Sequence, residues 1–428
     1  MALPDVSSDF QTFTFRIRPG IYFADDPAFG GKRRELTAHD YVYSYKRFYD
    51  PRTKSPMLFA LENSKILGLS EARQRALKTK QPFAYDVAVD GLQALDRYTF
   101  RIRLATPNPR LPYDLAMSDV FGAVAREVVE RYGDAIIEHP VGTGPFRLAE
   151  WRRSSRIVLE RNPAYRDEVF DLTGPEEDAT LKATLDTLRG RRLPMLDRVE
   201  LDVIEESQPR WLSFLNAEHD LLWRLPLDYG NLAVPKGKLA PSLAKRGLQL
   251  DRMLDNSTTV TYFNIDHPVV GGYTPERVAL RRAICLAVNI DEEIRIPRRN
   301  QAIPAQTPIA PHTYGYDANL KTEMSDFDPA RAKALLDAFG YVDRDGDGWR
   351  EQPDGSPLVL EMASRQDDLQ RQLNELWERH MRAVGLRITH RYESDLAHSW
   401  VSGYRRHPFT HRFFHLVDVD PVAQAARH

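Results

Sequence analysis

Only one cysteine, Cys285, occurs in 428 residues, so the chain can build no internal disulfide, no thiolate zinc cage and no dithiol redox pair. Long apolar runs are missing as well, since none approaches the roughly 18 residues of a membrane-spanning helix. Neither sign of charge is in excess: Lys+Arg number 59, Asp+Glu 61, and the net charge is −2. That balance removes the general electrostatic case for nucleic acid or an anionic membrane as partner. The usual catalytic signatures are absent too. There is no Gly-x-Ser-x-Gly elbow, no His-Glu-x-x-His, no Walker loop and no Gly-x-Gly-x-x-Gly. The opening Met1-Ala2-Leu3-Pro4-Asp5-Val6 has neither the basic nor the apolar region of a secretory signal. It reads as a cytoplasmic start, or as a chain from which an export signal is missing.

What is present is an ordinary globular composition, 42% hydrophobic and 28% charged, enough for about three domains at roughly 150 residues each. In Thr12-Phe13-Thr14-Phe15-Arg16-Ile17-Arg18 apolar and polar residues alternate, the period of a half-buried strand, and Pro19-Gly20 ends it. Thr37 and Asp40 form a capping-box pair ahead of a helix whose Tyr41, Tyr45, Phe48 and Tyr49 share one face. That stripe reads as a core face, with a ligand platform as the alternative. Phe-Arg-Ile-Arg recurs at Phe15 and Phe100, which suggests two edge strands with arginines toward water. Gly142-Thr143-Gly144-Pro145-Phe146 marks a tight backbone crossing and not a phosphate loop, because no Lys-Ser/Thr follows. Strands follow at 156–160 and 199–204, then a helix around Arg210–Leu215. Thr274-Pro275 and Asp328-Pro329 each open a helix, the second closed by Gly340. A strand at 357–360 and a helix at 370–383 complete a mixed α/β (α+β) pattern.

Candidate chemistry is sparse. Cys285 sits among apolar neighbours in a helix and reads as a structural thiol. Glu205-Glu206 and Asp367-Asp368 are sequence neighbours that point apart in regular structure, so they read as solvated faces. The sharpest motif is Asp343-Arg344-Asp345-Gly346-Asp347-Gly348-Trp349-Arg350-Glu351-Gln352-Pro353-Asp354. It offers calcium-loop ligands at Asp343, Asp345, Asp347, Trp349 (through its carbonyl), Glu351 and Asp354, with Gly346 at the sharp turn. The bland reading is a polar turn joining helix to strand. A bound calcium would be structural; no cofactor is otherwise required. Seven of the twelve histidines lie at or beyond His380, and His407, His411 and His415 share a four-residue spacing. On a helix these three would face one way and could hold a transition metal, although Pro408 disfavours that helix.

Taken in order, several segments resemble the extracytoplasmic solute-binding proteins of peptide-type ABC transporters, the oligopeptide- and dipeptide-binding class. They are Phe13–Phe23, Leu36–Ser44 with Lys46-Arg47, Gly142–Phe146, Leu159–Tyr165, Tyr262-Phe263-Asn264, Val278–Ala283 with Ala287 and Asp291, and Phe327–Leu336. Each is weak alone, and their order over roughly residues 10–390 carries the specificity. The Asp343–Arg350 stretch is similar to a proteobacterial subgroup labelled bicyclomycin resistance protein.

The resemblance implies a two-lobed periplasmic-binding-protein-like clamp with an extra small domain. Lobe one takes 1–24 and 141–255, the small domain 25–140, lobe two 256–392, and an atypical tail 393–428. It implies a non-enzymatic, periplasmic monomer that holds a peptide or small oligomeric solute between lobes and passes it to an inner-membrane ABC permease. A calcium-stabilised structural or interaction protein and a histidine-metal hydrolase are the alternatives. Family members carry a signal and about a hundred further residues ahead of the first strand here, and the resemblance fades past about residue 392. The expectation is therefore an N-terminally incomplete lobe one and a truncated or out-of-frame tail from Asp395. Asp418 and Asp420 do not take the family's role of anchoring a peptide amino group. For the ligand, the resemblance singles out Arg365, near a loop that in dipeptide binders offers arginine to the ligand carboxylate, a group that guanidinium grips bidentately. Tyr262 would stack on ligand and Asn264 would meet its peptide groups. A solvated Arg365 and a Tyr262–Asn264 pair packed in a strand are the alternatives.

Overall fold

The computed structural model describes residues 3–172, 179–323, 326–392 and 409–425. It divides into two units, Met1–Val203 and Ile204–His428.

In the first unit, β1 (Asp5–Val6), β2 (Thr12–Arg16), β3 (Leu92–Ala94) and β4 (Thr99–Arg103) form an antiparallel sheet in the order β1-β2-β4-β3. The two Phe-Arg copies are thus inner strands that pair with each other, and not edge strands. Phe15 lies opposite Phe100 with rings stacked at 4.9 Å, and Phe13 lies opposite Ile102. Alternation puts these residues on one face, so the arginines fall on the other. There Arg16 meets Asp5 at 2.7 Å and Arg101 donates to Gln93 at 2.7 Å.

Helix α1 (Ala38–Tyr49) covers the apolar face. The Asp40 carboxylate accepts the Thr37 backbone N–H at 2.7 Å, completing the expected cap, and Arg34 neutralises it at 2.7 Å. Tyr45 and Tyr49 are buried, and Tyr41 stacks on Phe100 at 4.9 Å, so the stripe is a core face. Helices α2 (Leu58–Ser64) and α3 (Leu69–Thr79) close the same core. This core takes residues from both sides of the boundary expected at residue 24.

A second sheet joins β5 (Phe146–Arg152), β6 (Arg156–Arg161) and β7 (Arg198–Asp202), all antiparallel. The Gly142–Phe146 crossing precedes it. Ala24 donates to the Gly142 carbonyl at 2.8 Å, and the buried Asn162 amide donates to the Gly144 carbonyl at 2.9 Å.

The second unit is built on a six-stranded mixed sheet of β8 (Leu221–Leu222), β9 (Leu248–Phe263), β10 (Ala302–Pro304), β11 (Val359–Ser364), β12 (Arg387–Tyr392) and β13 (Phe409–Ala425). β11 runs parallel to β12 and β13, whereas β13 pairs antiparallel with β8, β9 and β10. Helix α4 (Ser207–Leu215) packs in a smaller core with Leu222 and Leu225. Helices α5 (Pro275–Ala287), α6 (Ile290–Arg295), α7 (Pro329–Ala338) and α8 (Asp368–Ala383) enclose the main one. Asp328 caps α7 by accepting from the Arg331 N–H at 2.9 Å, and Gly340 turns out of it with a left-handed φ of 82°. Burial pushes the Cys285 thiol up to about 11, which suits a structural residue and not a nucleophile. His411 and His415 fall on strand β13, so the shared helical face does not form; His407 and most of the expected tail lie outside the described residues.

Asn289 caps α6 by accepting from the Glu292 N–H, which sets Glu292 against His380 of α8 at 2.9 Å. The buried imidazole accepts the Asn289 N–H at Nδ1 and donates from Nε2 to the carboxylate, the pattern of the neutral ring. Burial lowers the His380 pKa, while the His380 N–H, with Arg379 nearby, holds Glu292 below the usual carboxylate range. His390, buried beside Glu378 at 3.0 Å, is likewise lowered by burial.

Below the ordinary imidazole value of 6.5 the unfolded chain takes up protons that the folded chain refuses, so stability is lost as the pH falls. Urea midpoints of the second unit should therefore drop between pH 7.5 and about 5.5. The double substitution His380→Gln, His390→Gln should flatten that slope; an unchanged slope would refute the assignment.

Candidate functional site

Strand β11 ends in a buried run, with Met362, Ala363 and Ser364 each at 0% exposure. The chain then leaves the sheet for three residues before entering α8. Carboxyl ends of parallel strands are where open α/β sheets place ligands, because successive loops diverge there and leave a crevice. The β11–β12 pair has such an end, and Arg365 is the first residue beyond it. Its guanidinium is 64% exposed and faces one carboxylate, Asp367, at 3.7 Å. That distance is too long for a tight ion pair, so the fork stays available to a carboxylate.

Tyr262 reaches the same region from the other side of β13. It pairs in register with Thr410, which pairs with Ala363. Two strand spacings of roughly 4.8 Å place Tyr262 about 10 Å across the sheet from Ala363. Arg365 and Tyr262, 103 positions apart in sequence, thus lie near one level of the sheet, where β11 ends and β9 meets the start of β13. Asn264 is placed differently. It is buried, and its side-chain oxygen accepts the Asp266 N–H at 3.0 Å, closing its own turn.

Three polar side chains that the sequence reading passed over sit beneath the Arg365 loop. Ser364, Gln370 and Asn374 are exposed by 0%, 5% and 3% and bond one another. Their signal was available: Gln370 and Asn374 lie four apart on the face of α8 that continues into Trp377 and Met381. Polar residues on a core-facing stripe need partners, and that need points to a network.

The acidic loop lies at the far end of α8. Carboxylate oxygens of Asp343, Asp345, Asp347 and Glu351 lie within 4.8 Å of one another. Gly346 takes a left-handed φ of 80°, as its place in the motif requires. Asp343 accepts the N–H groups of Gly346 and Gly348 at 2.7 and 2.9 Å, and Glu351 accepts that of Arg344 at 2.8 Å. The Trp349 ring carries the guanidinium groups of Arg382 and Arg387, at 5.6 and 5.1 Å from its centroid. Asp354 stands apart from the four carboxylates. It accepts the Ser356 hydroxyl and N–H at 2.7 and 2.9 Å, and these bonds keep its carboxyl below the usual range.

Arg350 pins the loop to the core through Tyr341, Asp337 and Val384. The 16 residues of α8 span about 24 Å, so the acidic loop and the Arg365 edge are well separated. Chemically, one end offers a guanidinium and an aromatic ring to an organic anion, and the other offers hard oxygen donors.

Among the described residues no helix is long and apolar enough to cross a membrane. The Salmonella typhimurium periplasmic oligopeptide-binding protein OppA is 34% identical over 163 residues, 38% of this chain and 27% of that protein. Di/tripeptide-binding protein 2 of Pseudomonas aeruginosa is 25% identical over 344 residues, 79% of this chain and 54% of that protein. The chain therefore spans about half, or less, of the curated relatives it matches. Among solved structures, the Helicobacter pylori periplasmic binding protein DppA, in complex with the peptide STSA, shares the fold. Its TM-score is 0.64 at 20% identity, over 99% of this chain and 68% of that one. A Borrelia burgdorferi oligopeptide-binding protein gives 0.63 at 22% identity, over 95% and 69%. The profile of the bacterial extracellular solute-binding proteins, family 5 (middle), matches residues 1–410. With that match over nearly its whole length, the chain belongs to family 5 of the bacterial extracellular solute-binding proteins.

Proposed function

We propose that this chain is a non-enzymatic solute-binding protein of an ABC importer, working outside the cytoplasm as a monomer. It takes a peptide or similar small oligomeric solute and hands it to a membrane permease. The observation that carries this reading is Arg365, an exposed and weakly paired guanidinium at the carboxyl edge of a parallel strand pair. Such a group suits the terminal carboxylate of a peptide, and Tyr262 near the same level of the sheet suits an apolar side chain. Support also comes from relatives whose names specify di- and tripeptides or oligopeptides. The near-zero net charge favours a small solute over nucleic acid.

The test is a thermal-shift screen of the purified chain against defined pools of free-acid di- to pentapeptides. A peptide at 100 times its Kd adds about 2.7 kcal/mol to the stability of the state that binds it. At least one pool should raise the melting temperature in a saturable way. A well-folded chain that no pool shifts would contradict the reading.

Calcium is the structural ion of this proposal, held by Asp343, Asp345, Asp347, Glu351 and the Trp349 carbonyl, with no cofactor needed for solute binding. After chelation, 1 mM calcium should raise the melting temperature, by about 2.7 kcal/mol in stability for a Kd near 10 μM. Asp345→Asn should abolish the shift, whereas Asp354→Asn should keep it, because Asp354 is engaged with Ser356. Equal shifts in wild type and Asp345→Asn would refute this assignment.

A further inference from the structure

We infer that Asn374 is the positioning residue of the Arg365 loop, acting through Ser364 on one side and Gln370 on the other. The inference rests on the reading of Arg365 as the carboxylate contact and adds the device that orders it.

The Asn374 side-chain amide is the centre of the network. Gln370 Nε2 donates to Asn374 Oδ1 at 3.0 Å, so that oxygen is an acceptor. Asn374 Nδ2 then donates to Ser364 Oγ at 2.7 Å. The single hydroxyl hydrogen of Ser364 is shared between Asn374 Oδ1 at 3.1 Å and the Arg365 carbonyl at 3.4 Å. Asn374 thus holds the Ser364 hydroxyl through both its amide atoms, one residue before Arg365.

The other end of the loop is held as well. The Gln370 N–H donates to Asp367 Oδ1 at 2.8 Å, capping α8. Gln370 therefore links both anchors, its backbone fixing Asp367 and its side chain feeding Asn374. Only Arg365 and Gln366 lie between the two fixed points.

Burial argues that this arrangement has a local use. Three polar side chains at 0–5% exposure give up hydration, and apolar residues of like volume would fill the same space without needing partners. The network sits under the one loop that carries the exposed arginine. A guanidinium whose backbone is already ordered loses less entropy on gripping a carboxylate.

The experiment is hydrogen exchange on the full chain, comparing wild type with Asn374→Leu and, as the gentler change, Ser364→Ala. The expected result is at least a roughly tenfold faster exchange at the amides of Gln370 and Arg371, which Asp367 holds, with those of Trp377, Met381 and β12 unchanged. Acceleration spread evenly along α8 would make the network a packing feature only and overturn the inference, as would no change in either variant. If Asn374→Leu does not fold, Ser364→Ala still decides, since it removes only the last link. The same variants are titrated with tri-alanine and tri-alanine amide. If wild type does not distinguish acid from amide, the reading of Arg365 fails while the exchange result stands on its own.

Discussion

Replacing Arg350 with alanine should lower the stability of the second unit by about 3 kcal/mol. The side chain is 12% exposed and crosses from the acidic loop to two helices. Its Nε donates to the Val384 carbonyl at 2.8 Å, and its Nη1 donates to the Tyr341 carbonyl and the Asp337 carboxylate, both at 2.5 Å. Val384 and Tyr341 are themselves buried, so alanine leaves two carbonyls without a donor, each costing roughly 1–3 kcal/mol. The arginine stem also packs on Gly385, where a Cβ would meet Arg350 Cγ at 3.2 Å on a backbone with φ of 79°. Arg350→Lys should recover less than half of the loss, because one ammonium does not reproduce the fork that serves α7, Tyr341 and the end of α8 at once. Urea unfolding read at second-unit core amides measures this. A change below about 0.5 kcal/mol would mean that solvent or a neighbour replaces the pin.

Arg365→Ala should leave stability within about 0.5 kcal/mol, since the side chain is mostly exposed, yet weaken binding of free-acid peptides by about 10- to 100-fold. Charge-assisted bonds of roughly 1.5–3 kcal/mol set that range. Arg365→Lys should fall between, keeping the charge without the bidentate grip. Binding by isothermal titration, with melting temperature as the control, separates this outcome from simple destabilisation. Equal affinity in wild type and Arg365→Ala would move the carboxylate contact elsewhere.

Local chemistry made much of the fold legible. Thr37 with Asp40, and Asp328 with Pro329, mark helix starts that the structure keeps, because caps satisfy orphan N–H groups within four residues. Alternation in 12–16 assigned faces correctly. It did not name the partner strand, because period two says which side a residue points to and nothing about what lies beside it. That is why the pairing of Phe15 with Phe100 came only from the structure. The same limit applies at the site. Arg365 and Tyr262 are separate residues in the sequence, and register across β13 brings them near one level of the sheet. Asn264 and Asp354 each had the right chemistry for a ligand contact, but a nearby N–H engages each of them. Ser364, Gln370 and Asn374 carry no motif, and their meaning comes from burial.

The role of Arg365 is tested most directly by a thermodynamic cycle: wild type and Arg365→Ala titrated calorimetrically with a bound peptide as free acid and as C-terminal amide. Wild type should prefer the acid by at least about tenfold and Arg365→Ala should lose the preference, leaving amide affinity unchanged. An acid preference that survives intact in Arg365→Ala would contradict that role.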